Sequence, residues 1–139
     1  MDFELQKCVL VIDDALPRGV AANAAAICGI TLGKLLPEAV GPDVTDRNGN
    51  THLGIVALPV PVLRAGAETL RSIRERLYQP EFSPVTAVDF SDVAQGCRTY
   101  EEFQEKAAAS GTELSYLSLG LCGPKKLVNQ LTGSLPLLR

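Results

Sequence analysis

The chain alternates short, fully apolar runs with longer segments that are apolar on one side. The first run, Cys8-Val9-Leu10-Val11-Ile12, is unbroken and lies between Lys7 and Asp13. Such a run, set between charges, reads as a strand buried on both faces. After Asp13-Asp14 and the loop Ala15 to Gly19 comes an alanine-rich run, Val20 to Leu36. It reads as a helix, because alanine costs least in a helix interior, and Pro37 ends it. Within it Ala25, Gly29 and Gly33 recur every four residues. Glycine is unfavourable in a helix by roughly 0.5–1 kcal/mol, so this face is expected to press against a neighbouring element.

The pattern continues in the same alternation. Gly54 to Leu58 reads as a second strand, and Pro59 and Pro61 remove ladder donors, which places it at a sheet edge. Leu70, Ile73 and Leu77 recur at helical spacing in Ala67 to Tyr78, with Glu68, Arg71, Arg74, Glu75 and Arg76 on the outer side. Val85 to Phe90 reads as a third strand. Thr99 and Glu102 form a capping box for a helix from Tyr100 to Ala109. Leu114 to Cys122 reads as a fourth strand. Gly123-Pro124 then opens a last helix with Leu127, Val128 and Leu131 inward, and the apolar tail from Ser134 is expected to pack. Four strand–helix units predict an α/β fold with a mostly parallel sheet, in one domain spanning residues 1–139. Between the first two units, Asp46 to Asn50 contains Asn-Gly and reads as a small hairpin. His52 follows it and reads as a structural residue.

Composition narrows the chemistry. The formal charge of −3 argues against a general nucleic-acid binder. Arg71, Arg74 and Arg76 accordingly read as a solvated helix face rather than an RNA contact. Cys8, Cys28, Cys97 and Cys122 show no C-x-x-C spacing, and there is one histidine. The cysteines read as small buried hydrophobes, and neither a zinc site nor a cofactor is expected. The acidic start and the interrupted apolar runs predict a cytoplasmic protein with no membrane segment.

The candidate site is the first turn. Asp13, Asp14, Arg18, Gly19 and Asn23 surround it, and Asp89 and Asp92 lie at the end of the third strand. If the first and third strands are parallel neighbours, these carboxyl ends meet. Clustered carboxylates can raise one pKa and make a base, or hold a metal. Alternatively, Asp13 and Asp14 only end the strand and cap the helix, and Asn23 satisfies a loop carbonyl.

Two stretches carry a resemblance. Lys7 to Ile12, followed by a loop and Ala24-Ala25, resembles the opening of the type 2 peptidyl-tRNA hydrolases. Leu119 to Pro124, then Leu127-Val128 and Leu131-Thr132-Gly133-Ser134-Leu135, resembles their closing segment. Leu16-Pro17-Arg18-Gly19, Asn23-Ala24-Ala25-Ala26 and the ending Leu131 to Arg139 resemble, over nearly the whole chain, domain-of-unknown-function family 2000. The resemblance implies a three-layer α/β/α sandwich on a four-stranded mixed sheet, and a homodimer. The hydrolases carry lysines in the loop before the first helix and often a histidine within that helix. Here the loop reads Pro17-Arg18-Gly19-Val20, and an acid remains as Asp89 or Asp92. Ester hydrolysis needs a proton-transfer group, and arginine stays protonated. The expectation is therefore a small-molecule binder that has lost the hydrolase machinery. The alternative is a related hydrolase acting on an ester or amide.

Overall fold

A computed structural model describes residues 1–111 and 113–139. Four strands form the main sheet: β1 (Gln6–Asp13), β4 (Val62–Ala65), β5 (Thr86–Ser91) and β6 (Tyr116–Pro124), in the order β4-β1-β6-β5. A separate pair, β2 (Val44–Thr45) and β3 (Thr51–His52), makes the expected hairpin. Gly49 takes φ +85° in its turn, a conformation that glycine adopts without a Cβ penalty.

The main sheet is mixed, and the parallel expectation is corrected. β1 pairs parallel with β4, but β6 runs antiparallel to both β1 and β5. The first and third predicted strands, β1 and β5, therefore point the same way but are not neighbours. The end of β5 is tied to the start of β6. Asp92 N–H donates to Ser115 O at 2.9 Å, and Ser115 N–H donates to Asp92 Oδ1 at 3.2 Å. These bonds hold the residue before β6 beside the end of β5, along which β6 runs antiparallel.

The second predicted strand is also corrected. Gly54 to Leu58 stays outside the main sheet and pairs with the chain leaving the first helix. Gly41 N–H donates to Ile55 O and Ala57 N–H to Ala39 O. The edge strand β4 starts just after Pro61, where ladder donors become available again. Its outer side is not bare: Arg64 N–H donates to Pro136 O and Leu138 N–H to Val62 O. The tail thus packs as expected and covers an edge that would otherwise invite pairing with another chain.

Side chains alternate across the sheet. Val9, Val11, Leu119 and Leu121 point to one face, where they meet Leu70, Ile73 and Leu77 of α2 (Ala67–Leu77) and Val128 and Leu131 of α5 (Lys125–Thr132). Cys8, Leu10, Ile12 and Cys122 point to the other face, under α1 (Arg18–Leu35). The two remaining helices, α3 (Asp92–Gln95) and α4 (Tyr100–Ala108), sit between β5 and β6 in the chain. Thr99 Oγ1 accepts from Glu102 N–H at 3.1 Å, the cap that was expected. The Glu102 carboxylate reaches Arg98 N–H rather than the cap residue itself.

The glycine expectation fails in an informative way. Ala21, Ala24, Cys28 and Leu32 are the buried stripe of α1. A Cβ on Gly29 or Gly33 would meet nothing within 4 Å. The tight glycine is instead Gly120 in β6, where a Cβ would stand 2.9 Å from Leu32 Cδ1 and 3.1 Å from Cys28 Cβ. Beside it, buried Ser118 donates to Ala24 O at 3.1 Å and lies 3.1 Å from Cys28 Sγ. The sheet, not the helix, supplies the small residue that lets α1 approach.

Candidate functional site

Of the seven candidate residues, Asp13, Asp14, Arg18, Gly19 and Asn23 lie around the first turn, while Asp89 and Asp92 lie at β5 and the start of α3. Asp13 ends β1, and its Oδ1 accepts from Ala15 N–H at 3.0 Å. Asp14 lies 3.9 Å from Arg64, a loose and half-exposed contact. Neither caps α1: Pro17 holds the cap position and no side chain bonds the first N–H groups. Arg18, Gly19 and Asn23 are exposed on the first two turns of α1. Asp92 is taken up by the clamp to Ser115, and its Oδ1 also accepts from Val93 N–H at 2.8 Å.

Asp89 lies on β5, two strands from β1, or about 10 Å sideways. It is level with Val11, not with Asp13, because both pair with Leu119. Its carboxylate is 2.9 Å from Arg74 Nε, on the α2 side of the sheet. That contact is close but poorly aligned, since Nε makes no hydrogen bond of good geometry. The expected solvated arginine face holds for the exposed Arg76 and is corrected for Arg74. The Arg74 side chain is 15% exposed and stacks over Tyr78 at 4.2 Å. Arg76 lies 5.5 Å from the Phe82 ring, and Arg71 donates to Leu114 O at 3.4 Å.

The cavity with the most consistent lining is elsewhere, at the opposite end of α1. It has a volume of about 300 Å³. Cys8, Leu10 and Cys122 of the sheet form its floor. Gly29 and Gly33 form the helix side, where their missing side chains leave the space open. Val56, from the segment that stays outside the main sheet, forms the outer wall together with Val40 and Val60. Residues from both corrected expectations line this cavity: Gly29 and Gly33 of α1, and Val56 of the predicted second strand. A sequence signal was present: glycines at four-residue spacing mark a flat helix face. Only the fold shows whether that face is filled or empty.

Two of the floor residues are thiols. Cys8 and Cys122 are paired directly across β1 and β6. Their proximity sets them apart: Cys122 is pulled below the ordinary thiol range by Cys8, while Cys8 is pushed far above it by Cys122, with burial adding to the rise. The Cys28 thiol is raised by burial, partly offset by Ser118. Among the described residues no cluster of three or more acidic, histidine or cysteine side chains could hold a metal ion. No described helix is long and apolar enough to cross a membrane.

Comparison with known proteins agrees with this description. A solved structure of a protein of unknown function from Agrobacterium tumefaciens strain C58 matches with a TM-score of 0.86 at 17% identity, over 95% of this chain and 96% of that one. At that identity the likeness is one of fold. No curated protein matches the sequence. The model of DUF2000, a protein of unknown function, matches residues 6–139, and the chain therefore belongs to that family.

Proposed function

We propose that the protein binds a compact apolar molecule in the cavity between α1 and the segment from Ala39 to Val60, and does not hydrolyse it. One observation carries this reading. A cavity of about 300 Å³ is walled by aliphatic side chains and by two helical glycines whose Cβ positions are empty. Ligand pockets are concave, mostly apolar and roughly 300–1,000 Å³, so the size suits a small ligand. Two glycines in a helix interior lower its stability for no packing gain, and an open cavity gives them a use.

The same reading includes the features that the resemblance implied. Helices against both faces of the sheet support a three-layer α/β/α arrangement like that of the type 2 peptidyl-tRNA hydrolases. Arg18, the first residue of α1, stands near where the resemblance places the enzymes' lysines, so no turnover of peptidyl-tRNA is expected. Asp13, Asp14, Arg18, Gly19 and Asn23 could still form a polar ligand contact at the first turn, and Asp89 with Asp92 a second one. Ile30, Leu53 and Ile55, each at least three-quarters exposed, are apolar surface available to a homodimer.

The test is fluorescence titration with the neutral probe N-phenyl-naphthylamine. Gly33→Leu should fill the cavity and weaken probe binding at least about tenfold, or ~1.4 kcal/mol. Arg18→Ala should leave it unchanged. Equal binding by the wild type and Gly33→Leu would defeat the proposal.

A further inference from the structure

The floor of the cavity has a chemistry that apolar binding leaves unused. Cys8 and Cys122 are directly opposed on antiparallel strands and belong to the same sheet face. Side chains so placed have Cβ atoms about 4.5–5.5 Å apart. Both residues are at least 94% buried, yet both line the cavity. The remaining lining residues are aliphatic or glycine. The two sulfurs are therefore the side-chain heteroatoms that the wall presents.

We propose that Cys8 and Cys122 form a two-coordinate thiolate site for one soft cation of the Cu(I) type. Hard cations such as calcium and magnesium need several oxygen ligands, which this wall does not supply. Zinc takes four ligands in structural sites and three plus water in catalytic ones. The chain's single histidine, His52, is held by Asp46 in the hairpin. Thiolates select Cu(I), and two opposed sulfurs can straddle one such ion without further donors. A carbon electrophile fits less well, because addition of a thiol to an enone needs a donor for the developing oxyanion and the aliphatic wall has none.

Binding balances simply. Two S–H bonds break, two Cu–S bonds form, two protons leave to solvent, and copper stays monovalent. A second cavity reaches Cys122 from the end of the sheet, with Gln6, Glu38 and Thr86 in its lining. Its lining includes Cys122 but not Cys8.

The inference rests on the proposed function only in requiring an open cavity. The experiment is an anaerobic titration of the reduced full chain with Cu(I) in competition with bicinchoninate. One equivalent should bind, with a thiolate-to-copper charge-transfer band. Cys8→Ala and Cys122→Ala should each weaken binding by roughly 100-fold or more, as disturbing even the surroundings of a metal ligand can cost that much. Cys97→Ala should bind as the wild type does. Should the alanine variants unfold, mass mapping of alkylated wild-type cysteines answers instead, with Cu(I) protecting Cys8 and Cys122 but not Cys97. Unchanged affinity in the Cys8/Cys122 double variant, or no competition by the wild type, would overturn the site. So would covalent capture of an enone at Cys122 by a chain that holds no Cu(I). Cu(I) bound by a chain that ignores N-phenyl-naphthylamine would sink the apolar-ligand reading and leave the metal site standing. The probe bound without Cu(I) would do the reverse.

Discussion

Gly120 lies directly beneath Leu32: a Cβ on the glycine would stand 2.9 Å from Leu32 Cδ1, and 3.0 Å from Val88 Cγ1. The end of Leu32 can swing aside, but Val88 and Cys28 Cβ are held by the sheet and the helix. Gly120→Ala should therefore destabilise by about 1–3 kcal/mol, the usual cost of overpacking a core. Gly29→Ala should do the opposite and stabilise by about 0.5–1 kcal/mol, since its Cβ meets nothing. Urea denaturation of the two variants distinguishes them. The reverse order would mean that α1 presses on its neighbours through its own glycines.

Arg74 and Asp89 form the best-covered ion pair described here, with side chains 15% and 30% exposed. Removing one partner leaves the other charge partly buried. Asp89→Asn should cost roughly 1–3 kcal/mol, between the values for exposed and fully buried pairs. A double variant with Arg74→Met should recover part of that loss. The double-mutant cycle reads the coupling; additive losses would show that the two charges act independently.

The hairpin should respond to acid on its own. The Asp46 carboxyl is held below its ordinary range, first by His52 and then by the Asn50 and Asn48 N–H groups. A lowered carboxylate pKa stabilises the fold at pH values above the unfolded value of about 3.9, and that contribution is lost as pH falls through the folded value. Amide exchange at Asn48 and Asn50 should speed up in acid before the core does. Asp46→Asn should make exchange there fast at neutral pH. Hairpin amides that open only together with the core would contradict this.

The clamp at Asp92 carries a prediction about topology. Asp92→Ala removes the acceptor for Ser115 N–H and Val93 N–H. Stability should fall by roughly 1–2 kcal/mol, the range for an exposed helix-terminus carboxylate, with probe binding in the distant cavity unchanged. Lost probe binding at full stability would give Asp92 a direct part in the ligand site.

Local signals in the sequence were read well where they are self-contained. Cys8 to Ile12 became a central buried strand, Thr99 became a cap, and Asn48-Gly49 became a hairpin turn. Each depends on neighbours in the chain. What failed depends on partners far along it. Strand order rests on pairing between residues far apart in the chain, such as Cys8 with Cys122, and hydrophobic periodicity does not encode it. Gly54 to Leu58 has a strand's pattern but pairs with residues after α1. The cavity was invisible for a similar reason: Gly29, Val56 and Cys122 converge only in the fold. The first-turn residues were easy to notice because they cluster in sequence, and the structure draws Asp89 and Asp92 into other contacts.

The most direct measurement is a methyl-labelled NMR titration of the full chain with N-phenyl-naphthylamine. Shifts should concentrate at Leu10, Leu32, Leu36, Val40, Val56 and Val60, the methyl-bearing residues around the cavity. Shifts confined to Leu16 and Val20, beside the first turn, would contradict the account and return the ligand to Arg18 and Asn23.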